Sequence, residues 1–257
     1  SKVKVAWIHT DYSTIDIDLD TELEMWNKYD NIISISDKCS EAFLLKMPSL
    51  KEKIIRIDNI IQKEMILTQA RKSIPVEIDR NGDELVFCSV GRFSYAKNFD
   101  NIPNICKRIL QKGIEIKWYL IGYGGDKNQI QSKIQEEKVE RNVVILGKKE
   151  NPYPYINACD FYIQPSRYEG KAVTVREAQV LGKPVIITNF PTATSQLIDG
   201  YDGKIVSLDN EKCADEIVSF IKDKKLVSAI TKNIESTDYT NYDEINKIYA
   251  LMGDYHV

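Results

Sequence analysis

CDFYIQPSRYEGKAVTVREAQVLGKPVIIT, residues 159–188, reads as one strand, loop, helix and strand. The apolar run ends at Pro165, the polar loop SRYEGK follows, and AVTVREAQVL has helical composition until Gly182 and Pro184 end it before the β-branched PVIIT. Glu169 thus falls in the loop and Glu177 in the helix. On a continuous helix eight residues turn through about 800°, leaving the two carboxylates roughly 80° apart rather than stacked on one face. They therefore serve different parts of one ligand. Between them, the first backbone N–H groups of the helix, near Lys171 to Thr174, carry partial positive charge suited to phosphate. Gly170 lets a ligand approach the main chain closely. A carboxylate beside a phosphate site is repulsive unless it accepts hydrogen bonds from hydroxyls, so the ligand suggested is a sugar joined to a nucleotide through phosphates.

The same alternation extends in both directions. ELVFCSV, IEIKWYLIG, NVVILG, DFYIQP, KPVIIT and GKIVS are separated by segments of helical period, which predicts a parallel sheet wrapped by helices over residues 82–240. In FDNIPNICKRILQKG, Ile102, Ile105, Cys106, Ile109 and Leu110 recur at three- and four-residue steps and Gly113 follows as a stop. Residues 1–58 show a smaller α/β set: VKVAWIH, helix TELEMWNKY, NIISIS, helix DKCSEAFLLKM and KIIRI. Residues 59–81, polar and weakly patterned, read as a connector, and residues 241–257 as one more helix.

Charge and composition narrow the function. With 35 Lys+Arg against 38 Asp+Glu, no overall basic field attracts nucleic acid. The five cysteines are scattered singly, which fits reduced thiols rather than disulfides or zinc. The longest apolar runs are too short to cross a bilayer and the first residues lack a signal-peptide pattern, so a cytoplasmic protein is expected.

CSVGRFSYAKN places Gly91, Arg92 and Lys97 in the loop leaving the first strand of the large unit, at the end of a parallel sheet where ligands bind. Two fixed cations there, with the helix dipole, would neutralise a departing diphosphate without a metal. Taken alone, the pair reads equally well as surface charge. DIDLD resembles an acidic metal motif, but it precedes TELE, in which Thr21 and Glu24 form a capping box, so a solvated helix start is expected. GYGG (Gly122, Gly124, Gly125) lacks the third glycine of a dinucleotide fingerprint and reads as a tight turn lining the cleft. His9 alone reads as a packing residue, His256 as idle, and KDKK at Lys222 to Lys225 as a solvated turn between helices.

VGRFSYAKN, YLIGYGGD, VVILGKKE, the 159–188 stretch and GYDGKIV together resemble, in order and spacing, the family 4 (group 1) retaining glycosyltransferases of GT-B fold. The resemblance implies an α/β, GT-B architecture: a Rossmann-like C-terminal donor domain over 82–240 and part of an N-terminal acceptor domain over 1–58. It also implies that about a hundred residues of the acceptor domain, with their glycine-rich loop, are missing from the chain. The activity implied is metal-independent transfer of a sugar, with retention, from a nucleotide-sugar to a carbohydrate or lipid-linked acceptor, in surface polysaccharide synthesis. No cofactor is implied, since the nucleotide-sugar is a substrate; peripheral association with the inner face of a membrane is. By position Arg92 and Lys97 resemble the diphosphate pair, Glu169 the holder of the sugar hydroxyls and Glu177 that of the ribose. The amides of Gly170, Lys171, Ala172 and Val173 would touch sugar and phosphate. Gly91 and Gly122 would line the donor cleft, and Leu146 to Lys148 the edge against which the base packs. His9 falls where the family places a histidine near the reacting carbon. Two departures stand out: Lys171 replaces an aromatic, and Asp58-Asn59 replaces a small Asn-Gly pair. The rival readings are a donor-binding unit without efficient turnover and a GT-B epimerase.

Overall fold

The computed structural model describes residues 3–73, 75–80 and 82–253, so Ile74, Asn81 and His256 lie outside it. Every β-rich run named above forms a strand, because alternate side chains find a buried layer on each face of a sheet. Six parallel strands, β4 (Leu85–Val90), β5 (Ile116–Ile121), β6 (Val143–Gly147), β7 (Phe161–Gln164), β8 (Val185–Thr188) and β9 (Lys204–Val206), lie in the order β6-β5-β4-β7-β8-β9. Phe87, Trp118 and Phe161 face one layer, edge to face at 5.4 and 5.8 Å. That layer is completed by α4 (Ile102–Gln111) and α9 (Asn210–Lys222). Val86, Cys88, Tyr119 and Tyr162 face the other, against α6 (Tyr153–Ala158) and α7 (Val173–Val180). The expected stripe of α4 is buried at Ile102, Ile105, Cys106 and Ile109, and Gly113, at φ +77°, follows it.

A separate parallel sheet contains β1 (Val5–Ile8), β2 (Asn31–Ser34) and β3 (Ile54–Arg56) in sequence order. Its core joins Ile8, Tyr12, Ile32 and Phe43 with Trp26 of α1 (Leu19–Asn27); Phe43 belongs to α2 (Asp37–Lys46). Helix α1 begins earlier than the capping box allows. Asp18, not Thr21, is its N-cap, and its carboxylate accepts the Thr21 amide at 3.0 Å. A DIDLD aspartate thus satisfies one of the orphan donors of the first turn. Lys222 and Lys224 flank Asp223, which caps α10 (Lys224–Ser236) through the Leu226 amide.

The connector is more ordered than its composition suggests. It contains α3 (Lys63–Ala70), whose Ile66 and Ala70 are buried and which packs on α6 and α7. Only these two buried positions mark that helix, too few to stand out among its polar residues. At its start the connector is tied to the chain's end. The Asp58 amide donates to Glu244 of α11 (Glu244–Met252) at 2.9 Å, and Asn241 bonds both the Ile61 amide and the Asn59 carbonyl. All five cysteines are free and buried, and burial pushes the thiols of Cys106, Cys159 and Cys213 up to about 12.

Candidate functional site

The order of the six-stranded sheet reverses at β4: β5 and β6 lie to one side, β7, β8 and β9 to the other. The loops leaving β4 and β7 therefore diverge, and the crevice between them is where open α/β sheets bind ligands. The 91–98 loop and the 165–172 loop face one another there. Arg167 holds them together through paired bonds to Asp100 at 2.9 and 2.8 Å, and its amide donates to the Ala96 carbonyl at 2.8 Å. Asn98, in the left-handed region at φ 59°, adds a bond from its side chain to the Pro165 carbonyl at 2.8 Å.

This pairing brings Lys97 and Glu169 into contact, Nζ to Oε1 at 2.6 Å, with their side chains 22 % and 10 % exposed. The same Oε1 accepts from Ser166 Oγ at 2.5 Å and Gln164 Nε2 at 3.2 Å. Among the described residues all three donors reach Oε1, so Oε2 keeps its lone pairs for another partner. Behind Glu169 the buried Gln164 is itself fixed by the Tyr162 and Thr174 hydroxyls, at 2.8 and 3.2 Å. Lys97 uses one of its three N–H donors on Glu169, and its stem lies over Gly91, where a Cβ would sit 3.4 Å from Lys97 Cδ. Gly91 and Arg92 line a cavity of about 220 Å³ with Gly122, Tyr123, Lys148 and Pro152. Arg92 is exposed and makes no ion pair among the described residues. Lys148 lies over the Tyr123 ring at 5.3 Å, which gives this end a flat, partly aromatic wall.

Glu177 is held apart from Glu169, as the loop and helix placement required, although the loop between them is not helical and the 80° relation does not apply. Its Oε1 accepts from Tyr153 Oη at 2.9 Å, next to Pro152 of the cavity wall. Burial raises the Glu177 pKa above the ordinary carboxyl value, and the Tyr153 bond offsets only part of that. On the other flank Gly170 meets the small sheet. An added Cβ would stand 2.5 Å from the His9 carbonyl oxygen, and Cys39 Sγ lies 3.5 Å from the Gly170 carbonyl. His9 itself is exposed. Close approaches therefore run from Gly122 through Gly91, Lys97 and Glu169 to Gly170 and the His9 backbone.

One expected amide is already engaged within the chain. The Ala172 amide is taken by Gln196 Oε1 at 2.7 Å, and Gln196 Nε2 returns to the Ala172 carbonyl, so the open amides of α7 begin at Val173 and Thr174. The Lys171 side chain turns to Asp58, the residue just before the connector, at 2.8 Å. Gln164, Ser166, Tyr153, Thr192 and Gln196 were not anticipated. Thr192 Oγ1 holds the Glu169 carbonyl at 2.7 Å. A glutamine inside the apolar run DFYIQP was the one visible signal.

The fold is that of the GT-B glycosyltransferases. Its solved neighbours include Anabaena HepE in complex with UDP and glucose (TM-score 0.78, 19 % identity, 96 % of this chain and 70 % of that one). Another is a TarM mutant of S. aureus in complex with Fondaparinux, alpha-GlcNAc-glycerol and UDP (TM-score 0.77, 18 % identity, 98 % and 51 %). The chain belongs to the family described as Glycosyl transferases group 1, whose pattern matches residues 70–237. A curated relative is the N-acetylgalactosamine-N,N'-diacetylbacillosaminyl-diphospho-undecaprenol 4-alpha-N-acetylgalactosaminyltransferase of Campylobacter jejuni, 28 % identical over 61 % of this chain and 42 % of its own length. A second is the poly(ribitol-phosphate) alpha-N-acetylglucosaminyltransferase of Staphylococcus aureus, 23 % identical over 56 % and 30 %. The chain thus spans less than half the length of these curated relatives. Among the described residues no helix is long and apolar enough to cross a membrane.

Proposed function

We propose that the chain binds a UDP-sugar at the β4–β7 crevice and transfers its sugar, without a metal and with retention, to a hydroxyl of a carbohydrate or lipid-linked acceptor in surface polysaccharide synthesis. The observation that carries this reading is the Lys97–Glu169 pair at the sheet's reversal point. One partner has two N–H donors left for a diphosphate, and the other an open Oε2 for sugar hydroxyls. The UDP complexes of the solved neighbours and the poly(ribitol-phosphate) and saccharide-diphospho-undecaprenol acceptors in the relatives' names support the choice of donor and acceptor. The work is done in the cytoplasm, at the inner face of the membrane when the acceptor is lipid-linked.

As the sugar–phosphate bond breaks, Lys97, Arg92 and the Val173 and Thr174 amides balance the charge gathering on the diphosphate. Glu169 orients the sugar through its hydroxyls. The acceptor hydroxyl attacks from the side of the leaving group and gives its proton to the departing diphosphate oxygen, and His9, whose backbone carbonyl meets Gly170, borders the site from the small sheet's side. A titration panel of UDP, GDP and ADP tests the donor: UDP should bind at least about ten-fold more tightly than the others. Equal affinities sink the base assignment. NMR of the product's anomeric proton reads retention, and donor incubated alone distinguishes transfer from epimerisation.

Glu177 provides a second test, with opposite signs for stability and binding. The folded chain holds the Glu177 proton more tightly than the unfolded chain does. Its contribution to stability is therefore complete below the unfolded pKa and is lost as pH rises through the raised one. Glu177→Gln keeps an acceptor for Tyr153 and removes the buried charge. The ligand-free variant should match the parent near about pH 5 and exceed it in melting temperature near about pH 8. UDP affinity should nevertheless fall by roughly ten-fold, through loss of charge-assisted bonds to the ribose. Thermal melts at both pH values and calorimetry check the two signs.

A further inference from the structure

A second cavity, of about 300 Å³, is bounded by the connector, the start of α7 and residues 196–202 and 237–241. It borders Lys171 and Val173, but Arg92, Lys97, Glu169 and Glu177 do not line it. Among the described residues, two polar atoms on residues of its walls are shut off from solvent and have no hydrogen-bond partner: Asp58 Oδ1 and the Tyr239 hydroxyl. The Tyr239 residue is 8 % exposed. Leaving such groups unmatched is costly, so a polar guest is favoured here. Asp58 Oδ2 is already engaged by Lys171 at 2.8 Å and Arg56 at 3.2 Å, which leaves Oδ1 as the free acceptor. Arg176 lies over the Tyr239 ring at 4.6 Å, and its one hydrogen bond among the described residues is a long one of 3.4 Å to the Gln196 carbonyl.

The walls carry Lys171 and Arg176 against Asp58, Asp202 and Asp238, but Asp58 is paired with Lys171 and the other two acids accept from the Ile198 and Thr240 amides, so the cavity does not select a simple anion and its acids are already engaged. An acceptor oxygen, a hydroxyl, guanidinium donors and the half-exposed ring of Tyr201 instead suit the hydroxyls and apolar face of a sugar ring. The volume is at the lower end of ligand pockets, room for one ring rather than a chain. Both departures from the family pattern, Lys171 and Asp58-Asn59, stand on these walls. We propose that this cavity is a second carbohydrate site, separate from the donor crevice, that takes one uncharged pyranose unit of a glycan.

The test is saturation-transfer NMR with the methyl glycosides of glucose, galactose, N-acetylglucosamine and N-acetylgalactosamine, each with and without saturating UDP. Saturable binding of at least one glycoside that persists in UDP is expected. It should weaken at least about five-fold in both Tyr239→Phe and Tyr201→Ala, and hold in Arg92→Ala. Tyr239→Phe removes only an unmatched hydroxyl, so it should fold as well as the parent, and a melt checks that. Absence of saturable binding for all four, displacement by UDP, or unchanged affinity in both tyrosine variants overturns the proposal. So does a soaked crystal holding only water between Asp58 and Tyr239. The measurements without UDP stand whether or not UDP is the donor.

Discussion

Replacing Gly122 with alanine should lower the melting temperature by roughly 5–20 °C, the equivalent of about 2–6 kcal/mol in a chain of this size. Gly122 has φ +151°, a conformation side chains rarely adopt, and a Cβ there would stand 1.8 Å from the Gly91 carbonyl oxygen. Neither the oxygen nor its strand can yield easily, since the Gly91 amide is bonded to Ile121 and the Gly122 amide to Gly147. The clash falls on the wall that carries Arg92, so UDP affinity should fall with stability. Gly125→Ala is the matched control: it lies three residues on, in the same GYGG turn, and an added Cβ has nothing within 4 Å. Parallel melts of the two variants decide the point, and indistinguishable curves would refute it. The turn thus lines the crevice as the sequence suggested. Gly122 and Gly124 let the turn meet the backbone at Gly91 and Phe93.

The alternation of short strands and amphipathic helices was enough to predict the parallel sheet, because the pattern of burial is local and periodic. The placement of Arg92, Lys97 and Glu169 at the ends of β4 and β7 followed from the same pattern. What could not be read was which donor meets which acceptor. Lys97 and Glu169 are 72 residues apart, and Lys171 and Asp58 113; only strand order and loop register bring either pair together. The Ala172 amide looked free because a helix start offers such groups, yet Gln196, in a stretch of small polar residues, reaches back to take it. Helix α3 escaped notice for a similar reason: its two buried residues gain their meaning from α6 and α7, not from their spacing. Long-range hydrogen bonds of this kind leave no period in the sequence. A buried polar residue inside an apolar strand, such as Gln164, is the nearest thing to a trace of them.

Lys97→Met should weaken UDP binding by roughly ten- to a hundred-fold, the worth of one charge-assisted contact of about 1.5–3 kcal/mol. It should also destabilise the ligand-free chain, because Glu169 is left 10 % exposed with an unmatched charge. Glu169→Gln behaves differently. The amide oxygen still accepts from Ser166 and Gln164, and Lys97 becomes freer to meet phosphate, so UDP affinity should hold within about three-fold while the gain from adding the sugar is lost. Combining the two changes separates structure from binding. In the Lys97→Met, Glu169→Gln double variant the unmatched charge is gone, so stability should recover most of the loss of the lysine variant. The affinity for UDP should not recover, because the cation that would meet the diphosphate is still absent. Calorimetry with UDP and with UDP-sugar, beside melts of all four proteins, resolves these terms. Recovery of UDP affinity along with stability would mean that Lys97 serves only to neutralise Glu169, and the division of labour between diphosphate and sugar would have to be abandoned.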